Sequence, residues 1–202
     1  MNHQTMTLPP STDDLRRAIE MHLSSTVGKD PVAATLSDWR IALTAAIRDL
    51  IVVPWFETTR RSYADDLKRV YYLSMEFLIG RLLEDSISNL GLEDAASKAM
   101  AALGQDYSFA NGWQVEEAED WLRQSHPWEF ERRETSYHIG FGGNVTPCGG
   151  DAAAWEPEDI VLAQGYDTPV PGWRARWANT LRLWSAKPEH LFDLAAFNRG
   201  DF

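Results

Sequence analysis

The chain opens on ten mostly polar residues, Met1 to Pro10, with no apolar period, and they read as a disordered tail. A helical period then sets in. Leu15, Ile19 and Leu23 fall on one face, Ser11 or Thr12 can cap the first turn, Asp13 and Asp14 suit its positive end, and Gly28 stops it. Ser37 is placed to cap a second helix with a stripe of Trp39, Leu43, Ala46, Leu50 and Val53. Pro54 should kink or divide that helix, because it lacks a donor and crowds the preceding turn, yet the stripe resumes through Trp55, Phe56 and Tyr63. Residues 69–75 are a mostly apolar or β-branched run that reads as a buried strand, with the lone carboxylate of Glu76 at its end and a helix starting at Gly80-Arg81. Residues 79–90 and 92–103 read as two more helices, closed by Gly91 and Gly104, the second turning Leu92, Ala96, Ala99 and Leu103 inward.

From about residue 105 the helical period ends and aromatics, Gly, Pro and short alternating runs replace it. Thr135–Phe141, Ile160–Tyr166 and Ala178–Ser185 read as strands, separated by turns such as Gly142-Gly143-Asn144 and Pro171-Gly172. The pattern predicts an α/β protein: a helical segment over 11–104 with one core strand, then a Trp-rich strand segment over 105–202 completing an incomplete mixed sheet. A doubly wound fold alternates strand and helix, and this chain does so once, so the sheet looks unfinished.

Composition narrows the function classes. A net charge of −11 and a pI near 4.8 argue against nucleic acid or an anionic membrane as partner, since both would repel the surface. The single cysteine, Cys148, in a Pro-Cys-Gly-Gly turn, excludes an internal disulfide and fits a reducing cytoplasm. No secretory signal pattern and no apolar run of membrane-spanning length is present. Nine tryptophans are unusual. Indole stacks on the flat C–H faces of sugar rings, so the enrichment is compatible with carbohydrate binding, against the plainer reading of core and interface packing.

Ligands of open α/β sheets gather at the carboxyl ends of strands, which makes Glu76 a site candidate, able to orient a basic phosphate-binding group or to act as an acid. The acidic cluster Glu116, Glu117, Glu119 and Asp120 reads as a solvated face. Gly140-Phe141-Gly142-Gly143 lacks the strand–loop–helix context of a phosphate loop and reads as a hairpin turn. His22, His126 and His138 have no metal-ligand spacing, so no metal site is expected.

One stretch adds a resemblance. Tyr71-Tyr72-Leu73-Ser74-Met75-Glu76-Phe77-Leu78-Ile79-Gly80-Arg81 is similar to the N-terminal region of glycogen (α-1,4-glucan) phosphorylases of bacterial type. Further segments agree in order: Val27–Pro31, Glu116–Leu122, Pro127-Trp128-Glu129, Tyr166–Gly172, Asn179–Ala186 and Phe197–Asp201. The resemblance implies a GT-B-like fold, pyridoxal 5′-phosphate as cofactor, and phosphorolysis of α-1,4-glucan to glucose 1-phosphate. It implies a phosphate-site supporting role for Glu76, and effector-site positions at Trp55 and Tyr63, where the neighbouring glutamines of animal members are replaced by Thr59 and Arg60. Two departures stand out. The family's Gly-Asn-Gly-Gly-Leu-Gly-Arg loop, its helix and the next strand have no match between Leu103 and Trp113, and Phe202 precedes the C-terminal domain that holds the cofactor lysine. None of Lys29, Lys68, Lys98 or Lys187 sits in the cofactor motif. The expectation is an incomplete phosphorylase N-terminal domain that binds no cofactor and is inactive by itself. The alternative is a non-catalytic module that binds α-glucan or pairs with a second copy or a full-length phosphorylase.

Overall fold

A computed structural model describes residues 10–75, 81–105, 127–149, 152–174, 177–188 and 200. The chain divides into two compact units, Met1–Glu129 with Pro169–Leu181, and Phe130–Thr168 with Arg182–Phe202.

The first unit is built on helices. Helix α1 (Thr12–His22) starts at Ser11, whose hydroxyl accepts from the Asp14 N–H while the Asp14 carboxylate accepts from Ser11, a reciprocal capping box. It runs into a π-helical turn, Leu23–Val27, that Gly28 closes in the left-handed conformation at φ 73°. Helix α2 (Leu36–Ala64) is capped by Thr35 rather than the expected Ser37, because Asp38 stands three residues on from Thr35 and completes a second capping box. Pro54 does not divide α2: one helix runs through it for 29 residues, and the Thr58 hydroxyl donates to the Pro54 carbonyl at 2.7 Å. Residues 42 to 47 are all buried, so this stretch of α2 is enclosed on every side, whereas Val53 of the expected stripe faces outward at 41% exposure.

Helices α3 (Leu82–Leu90) and α4 (Glu93–Ala102) follow, and Gly91 and Gly104 both take positive φ after them. The core joins Leu15, Ile19 and Leu23 to Leu43, Ile47 and Ile51 of α2, Ile87 of α3, and Leu92, Ala96, Ala99 and Met100 around α4. His22, itself buried, ties α1 to α2: its two ring nitrogens lie 2.8 Å from the Thr26 hydroxyl and 3.0 Å from the Asp49 carboxylate.

The strand expected over 69–75 does not form. These residues lie outside any helix or sheet, with Val70, Tyr71, Tyr72, Leu73 and Met75 exposed by 77 to 104%. A buried parallel strand needs hydrogen-bonded neighbours and covered faces, and among the described residues no strand pairs with this one. The apolar run that suggests a core strand is therefore presented to water.

In the second unit, β1 (Phe130–Phe141) pairs antiparallel with β4 (Asp159–Pro171), and a bulge between Arg132 and Ser136 shifts the register. With β5 (Ala178–Pro188) they form a three-stranded sheet in the order β1-β4-β5. A second, two-stranded antiparallel sheet joins β2 (Asn144–Gly149) to β3 (Ala152–Glu156), neither of which the sequence pattern announces. The two ladders whose register is defined, β1 with β4 and β2 with β3, are both antiparallel. Gly142 and Gly143 do make a turn, but it leads from one sheet into the other and closes no hairpin. Glycine is required at 143, where φ is 84° and a Cβ would collide with the Glu156 carbonyl. Cys148 lies on β2 and not in a turn.

Candidate functional site

Glu76, the expected phosphate-site residue, lies outside the described residues, as do Glu116–Leu122, His126 and Phe197–Asn198-Arg199. Of the two effector-site positions, Trp55 is 4% exposed on α2, stacked against Phe56 with ring centroids 5.5 Å apart, and its indole N–H donates to the Thr180 hydroxyl at 2.8 Å. Tyr63 is 65% exposed at the last position but one of α2, with the Arg69 guanidinium 4.5 Å from its ring centre. His138 is exposed on β1. Among the described residues no cluster of His, Cys, Asp and Glu could hold a metal ion.

The most organised charge centre is one that sequence reasoning does not single out. Asp167 on β4 is buried and accepts from Arg182 of β5 at 2.6 and 2.8 Å and from Arg132 of β1 at 3.0 Å. Burial pushes its carboxyl up, but the bonds and charges of Arg182 and Arg132 outweigh that and hold it below the ordinary carboxylate range. The Arg182 guanidinium is raised in turn, first by its bond to Asp167. Both carboxylate oxygens are occupied, so the centre locks three strands together and offers no free base. Near it, the Lys187 ammonium lies 5.3 Å from the Tyr166 ring centre and 3.2 Å from Glu131, and these two partners hold it above its usual value.

The first unit contains a cleft of about 150 Å³ lined by Leu82, Asp85, Ser86, Asn89, Val170, Pro171 and Leu181. That is smaller than the roughly 300–1,000 Å³ of ordinary ligand pockets. Its wall is closed by the Asn89 amide, which donates to the Pro171 carbonyl at 3.2 Å. The same unit carries the β4–β5 turn. Trp173 and Trp177 are 65 and 43% exposed there, with the Arg174 guanidinium 5.2 Å from the Trp173 ring centre and Arg61 of α2 4.9 Å from that of Trp177.

Comparison with known proteins agrees with the motifs. The family model described as carbohydrate phosphorylase matches residues 86–202. The human brain form of glycogen phosphorylase is 37% identical over 240 positions, covering 94% of this chain and 28% of the relative. The sheep muscle form is 36% identical over 238 positions and the rat muscle form 35% over 241, each again covering 28% of the relative. The chain thus spans less than a third of the length of the curated relatives it matches. Ninety-four per cent of 202 residues is about 190, which leaves about 50 of the 240 aligned positions without a counterpart here. With the family model matching more than half of its length, the chain belongs to the carbohydrate phosphorylase family.

Proposed function

We propose that these residues correspond to an N-terminal region of an α-1,4-glucan phosphorylase, and that by themselves they carry out no phosphorolysis. The helical stretch 11–104 and the Trp-rich stretch 105–202 are read as parts of one GT-B-like domain, with Glu76 supporting a phosphate site and Trp55 and Tyr63 at effector-site positions. The observation that carries the reading is the alignment, nearly complete on this chain and confined to 28% of the relative, with about 50 internal positions missing. Phosphorolysis moves a glucosyl group onto phosphate, and such a transition state needs cations and backbone amides fixed around the reacting anions.

The cofactor implied by the family does not fit the residues present. A Schiff-base lysine is a deprotonated amine held in a pocket. Lys29, Lys68 and Lys98 are exposed, Lys98 pairs with Asp94 at 2.7 Å, and Lys187 is held as an ammonium by Tyr166 and Glu131. No lysine lines the cleft on α3. We therefore read the chain as one without coenzyme and route no chemical step through it.

The test is direct. The purified chain is incubated with glycogen, inorganic phosphate and pyridoxal 5′-phosphate, and glucose 1-phosphate is followed with a coupled assay. No product above the enzyme-free control is expected; turnover would overturn the proposal.

A further inference from the structure

We propose that Thr26 is a reactive hydroxyl, a site of covalent acylation by activated carboxylic esters, with His22 as its general base. The location is the π-helical turn Leu23–Val27 that follows α1, and the inference does not depend on the family reading above. Three side chains form one hydrogen-bonded chain there. His22 Nδ1 lies 2.8 Å from the Thr26 hydroxyl, and His22 Nε2 lies 3.0 Å from the Asp49 carboxylate. A carboxylate only accepts, so Nε2 carries the ring proton of the neutral imidazole. Nδ1 is then left with its lone pair, and the Thr26 O–H donates to it. A hydroxyl within hydrogen-bond reach of a base, the base being oriented by a third group, is the arrangement that activates an oxygen nucleophile.

Exposure separates the two reacting groups. Thr26 is exposed on the turn, whereas His22 is buried at 7% exposure, so a reagent reaches the oxygen before the ring. The same turn supplies its own comparison. Ser24 and Ser25 are exposed there too, and each donates to the backbone carbonyl four residues back, Glu20 at 3.1 Å and Met21 at 2.7 Å. Of the three hydroxyls only that of Thr26 meets an imidazole. Asp49 is steadied in its turn: Oδ2 faces His22, while Oδ1 lies 3.7 Å from Arg48 Nη2, and Arg48 donates to the Pro127 carbonyl at 2.6 Å. Asp49 is therefore a positioning residue, which fixes the tautomer and stabilises the imidazolium that forms. In the step itself, Thr26 Oγ1 attacks the acyl carbon of an ester with a good leaving group. Its proton passes to His22 Nδ1, the bond to the leaving oxygen breaks, and that oxygen departs as an anion. The imidazolium then releases its extra proton to solvent.

The test treats the purified chain with p-nitrophenyl acetate, follows nitrophenolate by its absorbance, and maps the acetyl groups by peptide mass spectrometry. Thr26 is expected to be acetylated about a hundredfold faster than Ser24 and Ser25, although a secondary hydroxyl is intrinsically the slower nucleophile. Thr26→Val should abolish the adduct, Thr26→Ser should keep it, and His22→Gln should lower the rate to that of the two serines. Should His22→Gln disturb the fold, Asp49→Ala decides, since the Asp49 side chain is 47% exposed. Asp49→Ala is expected to slow acetylation of Thr26. In ring-nitrogen NMR spectra of His22 it should also replace the single Nε2–H tautomer by a mixture. Acetylation of Thr26 no faster than that of Ser24 and Ser25 overturns the proposal. So does a Thr26 rate that His22→Gln and Asp49→Ala leave unchanged, or an Nδ1–H tautomer in the parent chain.

Discussion

Asp167 shows how one residue can organise a small sheet. Its carboxylate receives three charge-assisted bonds from strands on either side, and both partners lie far away in sequence, 35 residues for Arg132 and 15 for Arg182. Asp167→Asn keeps the shape, removes the charge and leaves two guanidiniums facing each other. It is expected to cost about 2–3 kcal/mol in chemical unfolding near neutral pH. The native carboxyl titrates below its ordinary value of 3.8, so as the pH falls the unfolded chain takes up the proton first. The stabilisation is whole above that value and drains away as the pH drops through the native one. The gap between parent and Asp167→Asn should therefore narrow when the same unfolding curves are measured at about pH 3. Nothing in the sequence marks this role: Tyr166-Asp167-Thr168-Pro169 stands out as a shared motif, but spacing does not say which arginines meet the aspartate.

At the scale of elements, the helices were legible and the sheet was not. Of the residues expected to face inward, Leu15, Ile19, Leu23, Trp39, Leu43, Ala46, Leu50, Leu92, Ala96 and Ala99 are buried, because a repeat near 3.6 is a local property, while Val53 is exposed and Leu103 only partly covered. Capping is local too, and Thr35 was missed only because Ser37 also precedes the stripe; the Asp three positions on is the sharper signal. Thr35→Ala is expected to lower the stability of α2 by about 1 kcal/mol in thermal unfolding, whereas Ser37→Ala should leave the melt unchanged. Strands depend on partners. β3 begins Ala152-Ala153-Ala154 and β2 contains Pro147, compositions that argue against strand, and each forms because the other lies alongside. The run at 69–75 has the composition of a strand, and among the described residues no strand pairs with it.

For the whole molecule, the same residues that reveal the family also record what is missing from it. The motif around Tyr71 and Tyr72 is intact in sequence, while about 50 aligned positions of the relatives have no counterpart. The strip from Val70 to Met75 is exposed at Val70, Tyr71, Tyr72, Leu73 and Met75. One consequence concerns digestion. Exposed chain outside any helix or sheet suits a protease cleft, and chymotrypsin accepts bonds after Tyr71, Tyr72 and Leu73. Brief treatment of the native chain should nick it there first, giving two bands on a denaturing gel. The nicked halves should nonetheless co-elute on gel filtration. Leu15, Ile19, Leu43 and Ile47 on one side of the cut share a core with Ile87, Ala96 and Met100 on the other, and severing a single peptide bond does not undo that shared interior.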